Sequence, residues 1–223
     1  MRLFVKICLK GEKHYRHRNE MTHHVDTGYM KHECIVAGKP TLNPATLSAV
    51  PLFIFNIPRF QPNKDPTHIF SHHTYTSRIL DVPAYATGNE IYLNTKYIAS
   101  YTGDVKREIT GVLYHEATHI WQWNGNGNGQ PNIGNLTEGI ADYVRLKGDL
   151  APSHWQQPGE GYKWDQGYDV TARFLDYCNS LREGFVAELN GKMRNDYNDN
   201  FFVELLGKSV DQLWTDYKTM YGK

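Results

Sequence analysis

The chain is poor in the features that would place it quickly. Three cysteines in 223 residues, Cys8, Cys34 and Cys178, cannot close into a set of bridges, so this is no disulfide-built scaffold and cysteine usage does not reveal a compartment. No apolar run approaches the roughly 18 residues of a bilayer-crossing helix, and no membrane partner is expected. Net charge is lacking: 24 Lys and Arg balance 24 Asp and Glu. Without a basic excess, neither a nucleic acid nor an anionic surface has electrostatic support as a partner. The start does not read as a convincing secretory leader, because Arg2 precedes only a short apolar stretch, Leu3 to Leu9, broken by Lys6. The start as written predicts a cytoplasmic protein or an incomplete N-terminus. There are no internal repeats.

What is present is ordinary for a folded globular chain, with 40% apolar and 22% charged residues. The length suffices for one domain with a real core or a compact two-lobed unit. The charge balance hides an asymmetry. Residues 1–76 carry ten Lys and Arg against five Asp and Glu, together with eight of the eleven histidines. Pro44, Pro51, Pro58, Pro62 and Pro66 punctuate this stretch, and its one strand-like run, Leu52 to Phe55, lies between two of them. The pairs His23-His24 and His72-His73 read as surface residues, since adjacent histidines point apart in regular structure. Residues 1–76 are therefore set apart as an atypical N-terminal segment, and 77–223 as the domain that carries chemistry.

From residue 77 the signals sharpen. Glu90 to Asn94 alternates like a half-buried strand after a turn at Thr87-Gly88-Asn89. Ile109, Val112, Leu113, Ala117, Ile120 and Trp121 recur at helical spacing and predict a helix from about Val105 to Trp123. Alternating Asn and Gly from Asn124 to Gly129 end it in a loop. A second helix is expected from near Asn135, a candidate N-cap three residues before Glu138, through Leu146. Further helices read from about Tyr168 to Leu181, Phe185 to Met193 and Phe201 to Tyr221. The class is α+β: a small sheet with an edge strand over one key helix, then a mostly helical C-terminal part.

The chemistry concentrates in His115-Glu116-Ala117-Thr118-His119, the pattern His-Glu-x-x-His. On a helix, residues i and i+4 share a face, so both imidazoles can meet one Zn²⁺, and Glu116 lies close enough to take a proton from an attacking water. Without a metal the two histidines would be polar groups on a core helix, each needing a partner. Eighteen residues separate His119 from Glu138, which lies in Leu136-Thr137-Glu138-Gly139-Ile140-Ala141-Asp142-Tyr143. It completes a His₂Glu set that leaves a fourth position open, the mark of a catalytic rather than structural zinc. Asp142, one turn beyond Glu138, can accept the second ring N–H of a ligand, His115 foremost, or else pair with Arg145 at the surface.

These motifs resemble those of the gluzincin metallopeptidases. More narrowly, the chain resembles the plant basic secretory protein family through Gly103 to Glu116, Thr118 to Gly125, Glu138 to Leu146, Ala151 to Trp155 and Trp164 to Leu175. The likeness covers residues 77–221 and implies a zincin-like fold, a Zn²⁺ cofactor, a peptide or protein substrate, a defence-related role and secretion. A peptidase also needs a donor for the developing oxyanion. Tyr168 is the first choice, with Tyr143, Tyr162 and His154 as rivals and a packed aromatic at a helix start as the plain alternative. Trp121, Trp123, Trp155 and Trp164 are candidates for a cleft lining but fit a core better. Ile91, Tyr92 and Leu93 would hold a peptide by main-chain pairing if Glu90 to Asn94 is an edge strand. The expected activity is endopeptidase in preference to aminopeptidase. The competing readings are a defence-associated binding protein with a structural zinc and vestigial activity, and, more remotely, a glycan-binding module.

Overall fold

The computed structural model describes residues 6–8, 74–78, 81–88, 90–127 and 132–223. Most of the N-terminal segment, including the Leu52 to Phe55 run and both histidine pairs, lies outside the described residues. Four short strands form one sheet: β1 (Lys6–Cys8), β2 (Thr74–Arg78), β3 (Ala84–Thr87) and β4 (Glu90–Asn94), in the order β1-β2-β4-β3. β1 and β2 run parallel, as do β2 and β4, while β3 and β4 form an antiparallel hairpin. Helices follow, with a long loop over residues 148–167: α1 (Thr95–Ser100), α2 (Val105–Trp121), α3 (Ile133–Lys147), α4 (Tyr168–Leu181), α5 (Phe185–Lys192), α6 (Asn200–Leu206) and α7 (Val210–Met220). The result is the expected α+β arrangement.

β4 alternates as its sequence requires, and Ile91 and Leu93 go into the core. It is not an edge, however. It is paired with β2 on one side and β3 on the other, so the edge strand that lies over α2 is β3. Because Asn94 N–H donates to Pro83 O (2.9 Å), the ladder bonds of β3 fall at Tyr85 and Thr87. The backbone groups of Ala84 and Ala86 therefore face the open side. Asn94 also caps α1, a helix that composition did not suggest: its side-chain oxygen accepts from Lys96 N–H and Tyr97 N–H while its amide donates to Val82 O.

α2 starts where Asp104 accepts from Arg107 N–H (2.9 Å) and runs against the sheet on one side and α3 on the other. It stops at Trp121, short of the expected Trp123. α3 begins at Ile133, so Asn135 is inside the first turn and not the cap. The stretch expected as one helix from Phe201 to Tyr221 is two, because Gly207 adopts the left-handed conformation (φ 74°) and Ser209 caps a new helix. The core of α4 to α7 is aromatic, with Phe174, Phe185, Phe202 and Tyr217 fully buried. Trp121, Trp155 and Trp164 are buried too, and Trp123 packs against the core partly covered.

Two glycines allow the close approaches that this packing needs. A Cβ at Gly139 would collide with the Thr171 side chain of α4, and one at Gly111 with the Arg145 guanidinium. In the space left by Gly111, Arg145 donates to Glu108 Oε2 (2.8 Å) and to Leu150 O (3.1 Å), and its guanidinium lies over the Trp155 ring. Glu108 also accepts from the Tyr97 hydroxyl (2.8 Å). This buried ion pair ties α2 to α3 at the end away from the histidines. Arg145 is thus engaged with Glu108, which the sequence did not single out, and Asp142 has a different partner.

Candidate active site

α2 and α3 run antiparallel, which brings the C-terminal half of one beside the N-terminal half of the other. His115, His119 and Glu138 meet there. His115 Nε2 is 3.0 Å from His119 Nε2 and 3.1 Å from Glu138 Oε2, and His119 Nε2 is 3.4 Å from the same oxygen. Ligand atoms held at 2.0–2.1 Å by a tetrahedral zinc are roughly 3.3–3.4 Å apart. The three donors therefore already have the spacing of one small cation's coordination shell. Two imidazoles and one carboxylate are also the donor types that suit zinc.

The electrostatics agree with that spacing. Burial opposes a charge on His115, yet hydrogen bonds with Asp142 and Glu138 raise it to about 10. Burial would raise Glu138, but His115 and His119 pull it down to about 2. Three donor atoms thus converge on a point that calls for positive charge.

Each of the two imidazoles has its other nitrogen held. His115 Nδ1 is 2.7 Å from Asp142 Oδ1, and Asp142 is buried. His119 Nδ1 is 2.6 Å from the buried side-chain amide of Gln122. With Nε2 as the ligand atom, Nδ1 carries the proton in both rings, so Asp142 accepts through its carboxylate, and Gln122, whose Nε2 faces His119 Nδ1, accepts once its amide is turned over to present the oxygen. Sequence reasoning missed Gln122; a polar residue one turn beyond His119 at a buried helix end was the available signal.

Glu116 is buried beside the cluster, and burial pushes its carboxyl up, with His115 and His119 opposing. The Ala86 backbone on β3 hydrogen-bonds to it, which puts the open edge of the sheet next to Glu116. Ile91 and Leu93 do not line this space, because both are core residues, and Tyr92 stacks on Tyr85 (4.7 Å between centroids). The substrate-holding role expected of Ile91, Tyr92 and Leu93 is corrected accordingly: β4 has a neighbour on each side and no free main-chain edge.

Tyr168, the first residue of α4, is 56% exposed and lies parallel to the His115 ring, 6.2 Å between centroids and 7° between planes. Its backbone is left-handed (φ 46°), uncommon for a bulky side chain and a local strain. Burial raises its phenol, and the carboxylates of Glu138, Asp142 and Glu116 raise it further, so it stays protonated and able to donate. Of its rivals, Tyr143 is buried in the core, while Tyr162 and His154 are exposed on the loop before α4.

A family model described as peptidase of plants and bacteria (BSP) matches residues 27–217, from within the N-terminal segment to α7. The chain is also similar to a protein of Boswellia serrata named basic secretory protease, 52% identical over 60 residues, which is 27% of this chain and 69% of that protein. No solved structure gives a significant match. No helix among the described residues is long and apolar enough to cross a membrane.

Proposed function

This chain belongs to the basic secretory protein family of plant and bacterial peptidases, and from that premise we propose that it is a zinc-dependent endopeptidase. The observation that carries the zinc is the triangle of His115 Nε2, His119 Nε2 and Glu138 Oε2, with sides of 3.0, 3.1 and 3.4 Å. Zinc held there would act as a Lewis acid on the scissile carbonyl and lower the pKa of the attacking water.

The rest is the work of the chain's own residues. Glu116, its carboxyl pushed up by burial, takes a proton from the water and passes it to the leaving amine. Tyr168, protonated and exposed above His115, donates to the carbonyl oxygen as it becomes an oxyanion. Asp142 and Gln122 hold the two ligand imidazoles in one tautomer and orientation. The peptide lies along β3, where the backbone of Ala84 and the carbonyl of Ala86 offer main-chain pairing beside Glu116. A strand laid along an open edge passes the site in both directions, which favours an endopeptidase. Secretion and a defence role follow the family's character and are part of the same proposal.

The test is metal content read beside casein cleavage. Purified protein should hold one zinc per chain, lose cleavage on chelation and regain it with zinc, and Glu138→Ala should lose the metal. Full occupancy in Glu138→Ala would show that the third ligand is misassigned. Cleavage indifferent to chelation would overturn the zinc mechanism, and bound zinc with no cleavage would favour a binding protein.

A further inference from the structure

The turn that carries Tyr168 is held by one side chain. Thr171, fully buried one turn into α4, accepts from Gly167 N–H (2.8 Å) and donates to Trp164 O (2.7 Å) through the same hydroxyl. Its methyl packs on Gly139, the neighbour of Glu138 in α3, at a distance that only glycine permits. Gly167 and Tyr168 are both at positive φ, 93° and 46°. Gly167 makes no side-chain cap for α4, so the Thr171 hydroxyl does the work of a cap from inside the helix.

We infer that Thr171 is the positioning residue for Tyr168. Its hydroxyl fixes both ends of the Trp164–Gly167 turn, and its methyl seats that turn against the helix bearing Glu138. A left-handed tyrosine persists only where the surroundings over-determine it. Here the determinants are two hydrogen bonds to a single buried oxygen, which no apolar side chain of the same shape can supply. Without them Gly167 N–H and Trp164 O lose a buried partner. The backbone at Tyr168 is then free to relax toward ordinary helical φ, which swings the ring away from His115. The inference rests on the reading of Tyr168 as the oxyanion donor.

The experiment uses the zinc-loaded full chain and four variants: Thr171→Val, Thr171→Ser, Tyr168→Phe and the Thr171→Val/Tyr168→Phe pair. Amide hydrogen exchange at Gly167 reports the hydrogen bond, and kcat, KM and zinc content on a fluorogenic casein peptide report its consequence. Thr171→Val should speed Gly167 exchange and lower kcat by about tenfold to a hundredfold, the scale of a misplaced catalytic group, with zinc still at one per chain. Thr171→Ser, which keeps the hydroxyl, should retain amide protection and kcat within about threefold of wild type. In the Tyr168→Phe background Thr171→Val should cost nothing more, because the group it positions is gone. Thr171→Ala carries the same test if the valine variant does not fold. An unchanged kcat in Thr171→Val, or a loss that adds in full to that of Tyr168→Phe, overturns the inference while leaving Tyr168 as donor. Wild-type activity in Tyr168→Phe overturns both.

Discussion

Opposite means build the two sides of the candidate site. The seam between α2 and α3 is regular helix, and its acidic and basic side chains are largely covered and paired in register: Glu108 with Arg145, Asp142 with His115, and Glu138 with both histidines. The Trp164–Gly167 turn is irregular backbone, held by neutral hydrogen bonds, and it leads through two residues at positive φ, Gly167 and Tyr168, to an exposed tyrosine at the start of α4. A cation site needs donors fixed against one another, and a helix pair locked in register supplies that. A donor to substrate must reach into open space, and a strained turn with a buried anchor allows it. Rigidity and reach are thus divided between two elements that touch at Gly139 and Thr171.

Mutations can sharpen the division or break it. Glu116→Gln, on the seam, should show the largest effect. The amide keeps the shape but cannot take a proton, so cleavage should fall by about 10²–10⁴-fold with zinc content unchanged. Activity within about threefold of wild type would remove Glu116 as the base. Tyr168→Phe, on the turn, should come next, with kcat lower by about 10²–10³-fold, as for loss of one oxyanion donor, and zinc affinity as in wild type. A shift in zinc affinity instead would mean that the turn belongs to the metal cluster after all.

Asp142→Asn should have the smallest effect on catalysis and show it in the metal. It weakens the charge-assisted hydrogen bond to His115, so zinc affinity should fall by roughly 10–100-fold. Titration of zinc into stripped wild-type and variant protein decides. Matching affinities would mean that the carboxylate does not tune the ligand.

The features of this arrangement that regular periodicity governs were legible in the sequence. The α2 pattern put His115 and His119 on one face, and eighteen residues to Glu138 left room for a loop and a return helix. Asp142 followed from the same period. What depended on pairing between distant segments was not legible. An alternating strand looks the same in the middle of a sheet as at its edge, which is why β4 reads as the edge that β3 in fact supplies. Gln122 and Glu108 read as ordinary polar residues on a helix surface until the fold buries them. Thr171 reads as one more helix residue, because its function lies in contacts with a turn before it and a glycine on another helix. Asn135 matches a cap pattern three residues before an acid, but α3 has already begun at Ile133.

The ion pair between Glu108 and Arg145 bears on how the register of the two helices is set. Each partner lies seven residues, two helical turns, from a proposed ligand on its own helix: Glu108 from His115 and Arg145 from Glu138. A slip of one helix along the other would separate a pair of buried charges, a change of about 3–5 kcal/mol. The helices are therefore indexed by a lock that contains no metal and that helps to keep the three candidate donors in register. Small zinc-folded modules draw their structure from the metal. Here at least part of the register that sets the donor spacing comes from an ion pair of the chain's own.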